Sequence, residues 1–294
     1  MKDQDLEIDT AQEKLVVAEP VPRIFSHGTK LRKKALSDHS LEPLLQHYQA
    51  WKDKSLAVEG READDVNRLT NLLNEYKNIV EPIFDSRPNS AQELLQSSII
   101  EEFLEYLFCR LDSSLKIPIP VREPASGYLE LVFHPKRLAS LVASPEYTAR
   151  TKDHDFVIGG KVNLTIKGHF SKEGATDEII IPAIAFECKR YLERNMLDEC
   201  AGTAEMVKRA TPYCRYVVVA EYLKMDEALP ELTKIDQIFV LRKQRNSDRI
   251  TKDFVAKPID GKLVSELYEE TVQHLKRIWW DPESVLKTGK LFER

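Results

Sequence analysis

Between Ile179 and Lys189 the chain reads IIIPAIAFECK, an apolar run of strand length that carries one carboxylate and one amine two positions apart. Side chains alternate along a strand, so if Phe186 and Cys188 face an apolar core, Glu187 and Lys189 share the other face. Two ionisable groups in such a strand cost desolvation free energy unless something compensates them, and a divalent cation together with a phosphate would do so. This stretch therefore reads as a long buried strand and marks a candidate site upon it.

The rest of the chain is read outward from that strand. Apolar residues at Leu41, Leu44, Leu45, Tyr48 and Trp51 recur at helical spacing, and a second helix runs from Arg61 to about Val80, where Pro82 and Arg87–Pro88–Asn89 are expected to break it. Pro20, Pro22, His27 and Gly28 mark irregular chain before the basic run that follows. Ser90 and Glu93 form a capping-box pattern ahead of a strongly apolar helix over 91–111, on which Glu101, Glu102 and Glu105 ride. A proline-rich link leads to a strand at 128–133 and a short helix at 135–143. Asp155–Ile158 and Val162–Lys167 read as a hairpin turning at Gly159–Gly160. After the long buried strand come a helix over 192–210, a valine-rich strand at 216–220, a strand at 238–241 and a helix over 263–280. The order implies an α/β fold with helices packed on a mixed sheet.

Composition narrows the functional classes. Hydrophobic residues make up 42% and charged residues 31% of the 294, the balance of a globular protein, and no stretch reaches the roughly 18 apolar residues of a membrane span. The polar, acidic N-terminus does not read as a secretory signal, so the expected location is cytoplasmic. Cys109, Cys188, Cys200 and Cys214 lie too far apart for zinc spacing and read as reduced cysteines. The formal charge of −5 does not advertise a nucleic-acid partner, although Lys30–Lys34, Lys136–Arg137 and Arg242–Arg249 are local basic stretches that either line a cleft or form solvated surface.

Asp155 opens a strand in KDHDFVIGG, 32 positions before Glu187, which leaves room for a hairpin return that sets the two carboxylates side by side. Magnesium takes hard oxygen ligands, commonly one or two carboxylates plus water and phosphate oxygens. It acidifies bound water and neutralises charge on a phosphoryl group, while a nearby lysine positions or deprotonates the attacking water or stabilises phosphoryl oxygens. The plain structural readings are a turn-opening aspartate at Asp155 and a cross-strand ion pair at Glu187 and Lys189.

Asp155, a hairpin and then Glu187–Cys188–Lys189 resemble the PD-(D/E)xK signature of restriction-enzyme-like nucleases. The wider string from KDHDFVIGG to YVVVAEYLKM resembles type II restriction endonucleases built of two subunits that cut asymmetric sites. The resemblance spans about 90–225 and implies a restriction-endonuclease-like α-β-β-β-α-β core. It divides the chain into an arm at 1–20, a helical region at 21–89 for recognition or dimerisation, the nuclease core at 90–225, and a C-terminal strand and helix at 226–294.

It also implies that Asp155 and Glu187 hold Mg2+, that Lys189 acts on the attacking water, and that a glutamate of the preceding helix joins them. Glu102 is the choice for that glutamate, with Glu101 and Glu105 as rivals. No proline precedes Asp155, since His154 stands there, and Asp153 remains an alternative. His154 as a ligand, Trp279–Trp280 as a base-stacking pair, and Glu205 with Lys208 as phosphate contacts each compete with an ordinary structural role. The implied partners are double-stranded DNA and a second nuclease subunit, a copy or a different chain. A repair or mobile-element nuclease and a non-catalytic α/β binding protein are the competing functional classes.

Overall fold

The computed structural model describes residues 25–86, 94–143, 146–250, 254–276 and 282–289. The expected arm at 1–20, the Ser90–Glu93 cap and Trp279–Trp280 lie outside them. The helices are α1 (Ser26–Ala35), α2 (Glu42–Leu56), α3 (Ala63–Asp85), α4 (Leu94–Phe108), α5 (Leu111–Leu115), α6 (Leu138–Ala143), α7 (Arg194–Ala210), α8 (Gly261–Lys276) and α9 (Pro282–Thr288). The strands are β1 (Val121–Phe133), β2 (Tyr147–Ile166), β3 (Ala175–Leu192), β4 (Arg215–Leu223) and β5 (Gln237–Val240), and they form one sheet in that order. β1–β2 and β2–β3 pair antiparallel, and β3–β4 and β4–β5 pair parallel. The mixed sheet flanked by helices is the architecture expected from the sequence.

Each face of the sheet has its own core. On one face Phe156, Ile158, Ile184, Phe186, Cys188, Val217 and Val219 join the apolar sides of α1–α4 and α8. On the other, Ala185, Val218, Ala220 and Tyr216 pack against Leu197, Cys200, Ala204 and Val207 of α7. Burial on this scale is the main stabilising term, at roughly 25 cal/mol per Å2 of apolar surface. No helix among the described residues is long and apolar enough to cross a membrane.

Three local expectations are corrected. His27 and Gly28 lie inside α1, because His27 is buried between Ser98 and Tyr76, and a Cβ on Gly28 would sit 2.0 Å from the Tyr48 hydroxyl. Close packing of α1 on α2 thus offsets the helical cost of glycine, about 1 kcal/mol. Pro82 does not end α3, which runs on to Asp85. Val80 and Phe84 are fully buried on either side of the proline, so packing carries the last turn past the missing N–H.

Gly159–Gly160 do not form a hairpin turn either. β2 is continuous through them and turns back to β3 only between Ile166 and Ala175. Gly159 faces Pro182 where the β2–β3 register shifts, and a Cβ on it would lie 2.3 Å from the Ile181 carbonyl oxygen. The glycine permits a bend in a long strand and a close backbone approach.

Candidate active site

Pro124 shapes the site from the neighbouring strand. Glu123 pairs with Val157 but Ala125 pairs with His154, so β2 holds one more residue than β1 over this step. Proline has no N–H to give the ladder, and the extra residue, at Asp155–Phe156, is accommodated opposite it as a bulge. The consequence is visible in the side chains. His154 packs its ring on Tyr216, with centroids 6.0 Å apart, whereas Phe156, two positions on, meets Phe108 at a tilt and Phe186 edge-on in the opposite core. In an unbroken strand these two would share a face.

The β2–β3 ladder ends at Phe156–Phe186, beyond which β2 follows β1 alone and β3 follows β4. Asp155 stands at this fork. Its Oδ2 accepts the Cys188 N–H at 2.7 Å, so the carboxylate takes the place of the next ladder partner. Glu187 and Lys189 flank Cys188 on the strand face covered by α7, and Lys189 Nζ donates to Glu187 Oε1 at 2.5 Å. The structure therefore brings Asp155, Glu187 and Lys189 together around one point. Asp153 is instead exposed and accepts a hydrogen bond from the Ser126 hydroxyl of β1.

The electrostatics follow from crowding. Burial, then the Glu187 carboxylate, then Glu101 push the Asp155 pKa up to about 7, against the Cys188 N–H and Lys189. Burial opposes the charge on Lys189, but the ion pair with Glu187 and the nearby Asp155 outweigh it and push its pKa up to about 12. Burial holds His154 down to about 4 despite Glu187, and neither of its ring nitrogens has a hydrogen-bond partner. It is a neutral histidine packed beneath Gly127, where an added Cβ would meet its ring at 3.2 Å.

Glu102 is not part of this group. It is fully buried, accepts the Gly28 N–H at 2.8 Å and the Tyr106 hydroxyl, and so ties α4 to α1. Glu101, one position earlier, is the α4 glutamate whose charge reaches Asp155, and it is paired with Lys30 of α1 at 2.7 Å. Glu105 is buried one turn further along. The correction has a simple cause: successive helical residues point about 100° apart, and only the packing of α4 on the sheet decides which of them faces Asp155.

Other candidates also resolve. Arg242 is almost wholly buried and binds Glu221 and Glu81 at 3.0 and 2.8 Å, while Lys243 pairs with Asp260 and Arg245 with Asp226. Lys208 pairs with Asp236 at 2.6 Å, not with Glu205. Among the described residues no group of three or more His, Cys, Asp or Glu forms a metal cage by itself. The two features sequence reasoning missed, the Asp155 bulge and the Lys30–Glu101 pair, had one visible signal, the proline at position 124.

The comparisons agree with this architecture. The solved structure of the native BbvCI A2B2 tetramer is similar with a TM-score of 0.69 at 22% identity, over 87% of this chain and 97% of that one, which shows a shared fold. With the short α5 and α6 set aside, α4–β1–β2–β3–α7–β4 follows the α-β-β-β-α-β order of the restriction-endonuclease-like core. No curated protein matches the chain. Residues 92–290, from α4 through the whole sheet to α9, match the Bpu10I restriction endonuclease family, and the chain belongs to that family of nucleases.

Proposed function

We propose that the chain is a subunit of a type II restriction endonuclease that hydrolyses phosphodiester bonds of duplex DNA at a specific sequence in the cytoplasm, with Asp155, Glu187 and Lys189 as its PD-(D/E)xK cluster. The observation that carries this reading is the meeting of two carboxylates and a lysine at the fork of the sheet, half-buried and with negative charge in excess. A carboxyl group whose pKa is pushed up to about 7 by burial and neighbouring carboxylates fits a place for a cation.

The donor set suits magnesium, for which two carboxylates leave positions for water and phosphate oxygens. Asp155 and Glu187 would hold the ion. When bound, it neutralises charge on the phosphoryl oxygens and acidifies a water. The Cys188 N–H fixes Asp155 through Oδ2 and leaves Oδ1 outside that bond. Lys189, protonated at neutral pH, gives one N–H to Glu187 and keeps two for a phosphate oxygen or the attacking water. Its high pKa supports orientation and charge stabilisation over proton abstraction.

One cluster per chain cuts one strand, so a double-strand break takes a second subunit, either a copy or a different chain. The A2B2 assembly of the structural neighbour supports that expectation. Plasmid digestion in magnesium tests the reading, comparing wild type with Glu187→Ala, alone and with the product of a neighbouring gene. Discrete fragments or nicks should appear and then vanish in the variant. Identical behaviour of the two proteins under every pairing would overturn it.

A further inference from the structure

Helix α1 contains no acidic residue and carries Lys30, Arg32, Lys33 and Lys34, a dense cationic segment in a chain of net charge −5. Its rotation is fixed by inward bonds: His27 to Ser98 at 2.9 Å and to Tyr76 at 2.7 Å, and the Gly28 N–H to Glu102 at 2.8 Å. With that face anchored, Lys30 reaches Glu101 at 2.7 Å. Glu101 is buried in α4, which packs on β3, and its charge acts on both Asp155 and the Cys188 thiol. Lys30 is therefore one ion pair away from the glutamate whose charge reaches Asp155, with 37% of its side chain still open to solvent. Lys33 and Lys34, three and four residues on, stand on the same side of the helix, exposed and without an ion-pair partner among the described residues. Arg32 is set apart, with its guanidinium over the Tyr48 ring.

We propose that α1 is a phosphate-binding element whose Lys30, Lys33 and Lys34 contact the backbone of the DNA strand that occupies the Asp155–Glu187–Lys189 cluster. This rests on the nuclease reading above and adds the element that seats the strand. A lysine ammonium has three N–H donors; Glu101 takes one and leaves two for a phosphate oxygen. The Lys30–Glu101 pair also holds the side chain in place before substrate arrives, which lowers the ordering cost of binding. In an acidic protein, a helix whose charged side chains are all cationic is where a polyanion gains most and suffers least repulsion.

The test is the salt dependence of binding to a fluorescein-labelled 30-base-pair duplex in calcium, with the second subunit present if cleavage requires it. Each phosphate contact removed lowers the slope of log affinity against log salt by roughly 0.9. The exposed double variant Lys33→Gln/Lys34→Gln should lose about 1.8 of that slope, and Lys30→Gln about 0.9, with Lys30→Arg restoring it. Lys262→Gln on α8, away from α1 in the chain and the packing, should bind as wild type. Folded Lys33→Gln/Lys34→Gln protein with the wild-type slope would overturn the proposal while leaving the nuclease reading intact. Failure of wild type to bind any duplex would overturn both.

Discussion

Asp155 carries a cost of burial and crowding that a cation, in the proposed function, would relieve. Its folded pKa of about 7 lies above the ordinary carboxyl value of 3.8, because of burial first and of Glu187 and Glu101 next. Between these two pH values the folded chain retains a proton that the unfolded chain has lost. This group's contribution is therefore most favourable below the ordinary carboxylate range and declines as pH rises toward 7. Asp155→Asn removes that decline. In metal-free protein at pH 8 the variant should melt above wild type, by the equivalent of about 1–3 kcal/mol after allowance for solvent screening, and the gap should close toward pH 4. Magnesium should raise the melting temperature of wild type and leave that of the variant unchanged. Melting curves at pH 4 to 8 decide the matter, and a magnesium shift in Asp155→Asn would count against the assigned ligand. Lys189→Ala, by contrast, should reduce cleavage by about 10^2–10^3-fold while duplex affinity survives, because its proposed role lies in charge stabilisation during the reaction.

Among the elements, the contact between α3 and the end of the sheet is unusual in being ionic and buried. Lys77 binds Glu81 at 2.9 Å and Glu221 at 2.8 Å, and Arg242 binds Glu221 at 3.0 Å and Glu81 at 2.8 Å. Arg242 also donates to the Lys257 carbonyl at 2.5 Å. Two cations and two anions are thus matched within one closed set. Burial opposes ionisation of Glu81, and Lys77 and Arg242 outweigh it and hold its pKa below the usual range. Removing one member leaves a buried charge uncompensated, so Glu221→Ala and Arg242→Ala should each cost about 3–5 kcal/mol in urea denaturation. Arg242→Ala that folds as stably as wild type but binds DNA more weakly would instead restore the role of a DNA contact that its sequence position suggested. The same contact explains why α3 continues past Pro82, since Glu81 anchors the turn that the proline weakens.

At the scale of the molecule, the N-terminal helices, the sheet and α8 share one continuous apolar core. The helices that hold Glu101 and Lys30 therefore cannot be separated from the strands that hold Asp155 and Glu187. Metal identity should act on the whole assembly in a diagnostic way. Calcium, a poorer Lewis acid with looser geometry, should support duplex binding without cleavage, whereas magnesium should support both. Gel-shift and digestion assays on the same preparation check this, and equal cleavage in the two ions would contradict the mechanism.

What the sequence by itself determined was the chemistry along single strands and helices. Apolar periodicity located most of the elements, and the alternation in AFECK put Glu187 and Lys189 on one face before any partner strand was known. What only the tertiary structure decided was rotation, register and pairing. Whether Glu101 or Glu102 faces Asp155 depends on how α4 sits on the sheet, a choice about 100° apart that both sequence positions satisfy equally. Whether Gly159–Gly160 turn the chain or bend it depends on Pro182 and Ile181 across the ladder. Whether Arg242 meets DNA or Glu221 depends on residues 21 and 161 positions away. Each of these outcomes is set by non-local contacts, which a local pattern of residue types does not encode.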